Sequence, residues 1–219
     1  MALVKGNTTS SASNGTAISV SHNSNTGTGL LLLVGIYHQN NSTVSNAAYN
    51  GVAMTSIASY TYSSVSGRVS FFYLLSPATG ANNVTATLSN SNTWVGVAQS
   101  FTGASGIGNY ANTDLSASPN SQTLTVSEGS LIYCGGTGQY QFDSTAAVSI
   151  GGVATSSANC DAKGVSYLSQ VRGETSSSPL SAGSITCATK SVHAAFYVSN
   201  HRIEILGAAT ASRRIFLVT

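Results

Sequence analysis

Gly29-Leu30-Leu31-Leu32-Leu33-Val34-Gly35-Ile36-Tyr37-His38 opens the stretch on which the fold of this chain turns. It contains the longest apolar run in the sequence. It leads into Ala47-Ala48-Tyr49-Asn50-Gly51-Val52-Ala53-Met54 and closes on Thr93-Trp94-Val95-Gly96-Val97-Ala98-Gln99-Ser100-Phe101. The same order of features returns about 100 residues later. Gly129-Ser130-Leu131-Ile132-Tyr133-Cys134-Gly135 matches the apolar run from Gly29, and Gly151-Gly152-Val153-Ala154-Thr155-Ser156 matches the segment from Asn50. Val84-Thr85-Ala86-Thr87 is set against Ile185-Thr186-Cys187-Ala188, and Tyr73-Leu74 against Tyr167-Leu168. Only the last pair falls short of the common spacing. Internal similarity of this kind points to a duplicated structural unit.

Working outward, the apolar run has no polar face, which predicts a central strand over 30–37 buried on both sides. Asn50-Gly51 between apolar flanks predicts a hairpin, because both residues tolerate the positive φ of a type I′ turn. Residues 84–89 alternate, placing Val84, Ala86 and Leu88 inward and Thr85, Thr87 and Ser89 outward. Further strands are expected at 16–20, 60–62, 69–75, 94–101, 123–126, 131–134, 148–154, 164–168, 185–188, 193–198, 201–206 and 214–218, with a short one around Tyr110. No segment has a capped apolar period of 3.6 residues. Short strands between Gly, Asn and Ser turns indicate an all-β fold, an antiparallel β-sandwich or jelly-roll-like arrangement with two pseudo-repeated halves. Residues 1–16 read as an N-terminal arm, 17–206 as the sandwich with repeats at about 17–107 and 121–206, and 207–219 as a C-terminal strand or tail. Two tandem domains are the alternative to one sandwich. The Gly/Ser/Asn-rich connection at 103–120 has no charge run or Pro-rich linker to mark a boundary.

The 219 residues suffice for a real core, and 42% are hydrophobic. Charged residues are only 6%, against roughly 25% in ordinary soluble domains. The surface must therefore be made of Ser, Thr, Asn, Gln and Gly. Residues 1–113 contain no acid at all, and only Lys5 and Arg68 are charged before Asp114. A net charge of +2 gives little attraction to nucleic acid or membrane, so neither is expected as a partner. The start, Met1-Ala2-Leu3-Val4-Lys5-Gly6-Asn7, lacks the pattern of a secretory signal. No run approaches the ~20 apolar residues of a membrane-spanning helix.

Catalytic constellations are hard to find. Glycoside hydrolysis needs two carboxylates about 5 to 10 Å apart, and Asp114, Glu128, Asp143, Asp161, Glu174 and Glu204 are scattered. There is no EF-hand loop; Asp161 with Asn159, and Asp143, are weak calcium candidates beside a solvated-acid reading. His22, His38, His193 and His201 have no zinc-site spacing, and His38 reads as a partly exposed structural residue. No G-x-S-x-G elbow or dinucleotide fingerprint is present. The chain is read as a non-enzyme without cofactor or metal. Cys134 and Cys187 fall at repeat positions matching Val34 and Ala86 and behave as small core hydrophobes. Cys160, in a loop, is the one to watch for reactivity. The odd count of three argues against a disulfide framework.

Candidate contact residues are aromatic and basic. Tyr60 and Tyr62 share a strand face, while Tyr110 and Tyr140 lie in Gly-rich loops; such rings can stack on sugars or anchor a protein partner, beside the plainer reading of sheet packing. Arg202, Arg213 and Arg214 make the C-terminal end basic and form a candidate docking tail.

The apolar Leu-Leu-Leu-Val-Gly strand, Ala47-Ala48-Tyr49-Asn50-Gly51-Val52-Ala53-Met54-Thr55, Phe72-Tyr73-Leu74-Leu75-Ser76-Pro77-Ala78-Thr79-Gly80 and Asn83-Val84-Thr85-Ala86-Thr87 together resemble Ser/Thr/Asn-rich β-sandwich modules of phage virion proteins and large bacterial surface proteins. The likeness is best over about residues 17–105. It implies a structural or adhesive role and brings no catalytic residues with it. The leading expectation is a non-enzymatic phage structural protein, a capsid decoration, head-fibre or tail component. Such a protein is made in the host cytoplasm, located in the virion, and bound to other virion proteins as a homo-oligomer. The alternative is a carbohydrate- or receptor-binding module directed at a cell-surface glycan. A bacterial adhesin domain is a third reading, and it requires an export route.

Overall fold

The computed structural model describes residues 2–39, 42–61, 67–115, 120–138, 149–150, 153–156, 170–176, 180, 182–189 and 198–208. All regular structure among them is β-strand. The first half comprises β1 (Val4–Ser24), β2 (Leu31–Gln39), β3 (Val44–Tyr49), β4 (Val52–Ala53), β5 (Thr55–Thr61), β6 (Gly67–Leu75) and β7 (Gly80–Thr102). The second comprises β8 (Ala104–Leu115), β9 (Asn120–Val126), β10 (Leu131–Gly138), β11 (Ser149–Ile150), β12 (Val153–Ser156), β13 (Gln170–Ser176), β14 (Gly183–Thr189) and β15 (Val198–Gly207). The protein is an all-β antiparallel sandwich with two pseudo-repeated halves.

The apolar run becomes β2, buried from Leu31 to His38 and held between β6 and β7. Its even-numbered residues face a core inside the first half. Leu32, Val34 and Ile36 pack there with Ile18, Val20, Tyr49, Phe72, Val84, Ala86, Leu88 and Trp94. Its odd-numbered residues face the second half. Leu31, Leu33 and Tyr37 join Val69, Phe71, Val95, Val97 and Phe101 against Leu131, Tyr133, Ile203 and Ile205. A strand used on both faces has no polar side to show, which is why its period of 2 is invisible in the sequence.

Residues 84–89 alternate as expected, with Val84, Ala86 and Leu88 buried and Thr85, Thr87 and Ser89 exposed. The Asn50-Gly51 turn also forms, with φ of 49° and 76° at its two central residues. The segments expected separately at 84–89 and 94–101, however, are one continuous 23-residue strand, β7. Its first part lies between β1 and β3, and its second part between β1 and β2. β1 and β7 turn from one layer of the first half into the other together, at Gly15 opposite Asn92. Gly15 has φ of 136° there, and the register shifts before Ala17 and Thr87. Glycine is the residue that reaches this φ without strain.

Three expectations need correction. Residues 4–15, read as an arm, form the first part of β1 and pair with 92–102. Buried Leu3 lies just before them in the core between the halves. Their Ser/Thr composition hid the strand, because a sheet edge with one wet face needs few apolar side chains. Residues 104–115, read as a connection with a short strand around Tyr110, form the whole 12-residue strand β8 on β15, so the strand at Tyr110 is present and much longer than expected. The counterpart of β6 is β13, since β13 pairs β10 as β6 pairs β2. Tyr73 therefore corresponds to Thr175, and the short spacing to Tyr167-Leu168 came from a mismatched pair; 167–168 lie outside the described residues.

With those corrections the two halves share one pairing scheme. β8 and β9 pair β15 and β14 as the two parts of β1 pair the two parts of β7. The β11–β12 hairpin lies on β14 as β3–β4 lies on β7. By this pairing the repeats run 4–102 and 104–207, rather than starting at about 17 and 121. They are joined at Gly103 (φ 71°), whose N–H donates to Thr28 and whose carbonyl accepts from Ala208. Of the expected tail, Gly207 ends β15 and 209–219 lie outside the described residues.

Candidate functional site

β5 and β8 are the terminal strands of their sheets and flank the core between the halves on one side. Each brings a tyrosine to its rim. Tyr60 of β5 and Tyr110 of β8 are half-buried and pack against the shared core. The Tyr110 ring lies 6.4 Å from that of Phe71, and Asn112 Nδ2 donates to its hydroxyl at 3.1 Å. Burial pushes the Tyr110 phenol above its usual range. The Asn112 hydrogen bond opposes that shift, and the nearby Tyr60 adds to it. The fold thus unites two of the four sequence-selected tyrosines, one from each half. Tyr62 and Tyr140 lie outside the described residues.

The basic end is arranged differently from the expectation. Arg202 lies within β15, its backbone paired between Cys134 and Ala111 in the interior of a sheet, so it belongs to no free tail. Arg213, Arg214, Cys160, Asp143, Asn159, Asp161 and His193 lie outside the described residues.

The outer face of the first half follows directly from alternation. The second part of β1, the first part of β7, and β3 bury their inward residues and expose Ala17, Ser19, Ser21, Asn83, Thr85, Thr87 and Ser45. The register sets these into rows: Ala17 beside Thr87 beside Ser45, Ser19 beside Thr85, and Ser21 beside Asn83. Neighbours within a row sit one strand spacing apart, about 4.7–4.9 Å, and successive rows lie two residues apart along the strands, about 6.5–7 Å. Every side chain in them is small and uncharged.

Buried polar groups complete the picture. His22 and His38 are 1% and 0% exposed, so His38 is not the partly exposed residue expected. Burial lowers both from 6.5 to about 4, and for His38 the Arg68 charge adds to the lowering while the Gln39 carbonyl opposes it. Gln99 is fully buried on β7; its Nε2 donates to Thr8 at 2.7 Å and its Oε1 accepts from Thr175 of β13 at 2.6 Å. That chain ties the two halves by hydrogen bonds. Glu204 is 1% exposed, and its carboxylate accepts the backbone N–H groups of Asn109 and Ser127. Sequence reading passed over it as one of six scattered acids; the signal was a single charge between Ile203 and Ile205 in a strand. Among the described residues no three His, Cys, Asp or Glu side chains gather into a metal-binding group.

Comparison of the chain with protein-family models, curated proteins and solved structures finds no match.

Proposed function

We propose that this chain is a non-enzymatic structural protein of a phage virion, a capsid decoration, head-fibre or tail component that acts through protein–protein contacts. The observation that supports this reading most directly is the outer face of β1, β7 and β3, with its ordered rows of Ser, Thr, Asn and Ala. Small neutral side chains allow close approach to a partner surface, and their hydrogen bonds are not weakened by ionic screening as charge pairs are. Binding to virion shells should therefore persist from low to high salt, read as the fraction of protein co-sedimenting with shells. Lysine at Thr85 and Thr87, both solvent-facing, should release the protein from shells while leaving its thermal unfolding nearly unchanged. Release of the native protein in moderate salt, or binding by the double-lysine variant equal to wild type, overturns the proposal.

A second reading is favoured by the meeting of Tyr60 and Tyr110 beside Asn112. Two half-exposed rings next to an amide are suited to stacking on and hydrogen-bonding a sugar. Saturable glycan binding that is lost in Tyr60→Ala, with shell binding retained, would assign that role to the rim.

A further inference from the structure

The sequence contains two Asn-Gly dipeptides, Asn14-Gly15 and Asn50-Gly51, and the fold treats them in opposite ways. Asn14 and Gly15 lie inside β1, their backbones paired with Thr93 and Asn92 of β7. The Asn14 side chain is also engaged, its Oδ1 accepting from the Thr93 hydroxyl. Asn50 and Gly51 lie outside the ladder, at the turn between β3 and the two-residue strand β4. Both asparagines are exposed, and neither a Gly15 nor a Gly51 Cβ would meet anything within 4 Å, so the difference between the two sites lies in backbone pairing. Asn50 N–H donates to Asn83 O at 3.1 Å, and the turn is closed by the pairing of Tyr49 with Val52.

We infer that Asn50-Gly51 is a site of spontaneous covalent modification, at which Asn50 converts to aspartate and isoaspartate through a cyclic imide, while Asn14 is protected by the β1–β7 ladder. The Gly51 amide nitrogen, deprotonated by base, attacks Cγ of Asn50. An N–Cγ bond forms, the Cγ–Nδ2 bond breaks, and ammonia leaves with the transferred proton. Water then opens the five-membered imide at one of its two carbonyls. The sum is asparagine plus water giving aspartate, or its isomer, plus ammonia, and no oxidant or reductant takes part.

Attack requires the backbone to leave the turn conformation so that the nitrogen can approach Cγ. The two sites therefore differ in how much structure must open. At Asn50 the opening is confined to a turn and a two-residue strand, which belong to the low-stability end of a fold. At Asn14, beside the register shift after Gly15, it requires breaking the Asn14–Thr93 and Gly15–Asn92 pairs that end the ladder of residues 8–15, as well as the Thr93 side-chain contact. The product would place a carboxylate in residues 1–113, which otherwise contain none. The isoaspartyl form would also add a methylene to the main chain of a turn whose register depends on having two residues.

The test is incubation of the full-length native protein in mildly alkaline buffer, followed by chymotryptic digestion and fragmentation mass spectrometry. Trypsin would leave both sites in one peptide between Lys5 and Arg68. Isoaspartate is read in parallel by enzymatic methyl transfer. Conversion at Asn50 is expected to be about tenfold or more faster than at Asn14 in the native protein, because local opening free energies differ across a fold. In urea the two sites should react at comparable rates. Equal conversion of both in the native state, or an intact Asn50 after the denatured chain has reacted, overturns the inference.

Discussion

His22 and His38 show how a single ring responds to the place given to it. Each Nδ1 has a partner, the Thr9 hydroxyl at 2.9 Å for His22 and the Gln39 carbonyl at 3.3 Å for His38. Neither Nε2 has a hydrogen-bond partner among the described residues. A neutral ring tolerates such a site, whereas a protonated one would put an unpaired charge beside the core. The sign of the resulting pH dependence follows. Both folded values are about 4, below the ordinary 6.5, so the unfolded chain takes up protons first as pH falls. The stability these rings contribute is fully present above about pH 6.5 and is lost as pH falls through that window toward 4. Urea midpoints measured across this window should decline, and a His22→Gln, His38→Gln double variant should decline less steeply. An unchanged slope in the variant would remove the histidines as the cause.

At the scale of elements, the duplication reaches into irregular structure. In β1, Lys5 is opposite Phe101 and Thr8 opposite Gln99, so Gly6 and Asn7 bulge against Ser100. In β8, Ile107 is opposite Ile205 and Tyr110 opposite Ile203, so Gly108 and Asn109 bulge against Glu204. The two asparagines do the same work: Asn7 Nδ2 donates to Asn23 O and Asn109 Nδ2 to Thr125 O, both at 2.8 Å. The backbone N–H freed by each bulge needs an acceptor. Asn25 Oδ1 serves Asn7, and Glu204 serves Asn109 together with Ser127. A carboxylate accepting two backbone N–H groups has no substitute in an amide, which presents one oxygen and one donor. Glu204→Gln should therefore cost about 1–3 kcal/mol of unfolding free energy. Glu128→Gln should be nearly neutral, because Glu128 accepts from Ala182 N–H at an exposed site. Equal effects of the two substitutions would contradict this account.

At the scale of the whole molecule, the halves meet through aromatic rings fitted against glycines. Tyr37 and Phe71 are edge-to-face at 5.9 Å, and Phe71 and Tyr133 at 6.2 Å. The repeat-matched residues Gly35 and Gly135 leave room for them. A Cβ on Gly35 would lie 2.8 Å from Phe71, and one on Gly135 would lie 2.5 Å from the Tyr37 hydroxyl and 3.2 Å from Phe71. Overpacking at such a site costs roughly 1–3 kcal/mol. Gly135→Ala should lower the urea midpoint accordingly, while Gly106→Ala, with nothing within 4 Å of its Cβ, should leave it nearly unchanged. If both substitutions are neutral, the rings can move apart and the fit between the halves is looser than described.

The sequence by itself determined the fold class, the central position of β2, the Asn50-Gly51 turn, the alternation in β7 and the existence of a repeat. Each of these rests on local backbone preference or on a side-chain period that a chain shows without knowing its partners. Only the tertiary structure decided where the repeats begin, because residues 4–15 and 104–115 are polar edge strands whose pairing energy comes from strands nearly a full repeat away. It likewise decided that β13 matches β6, since Thr175 is buried for a hydrogen bond to Gln99 rather than for its hydrophobicity. The meeting of Tyr60 with Tyr110 and the choice of Asn109 and Ser127 as the donors to Glu204 were illegible for the same reason: both depend on strands from distant parts of the chain arriving side by side. A linear pattern records which face a residue prefers, and packing alone supplies what lies opposite it.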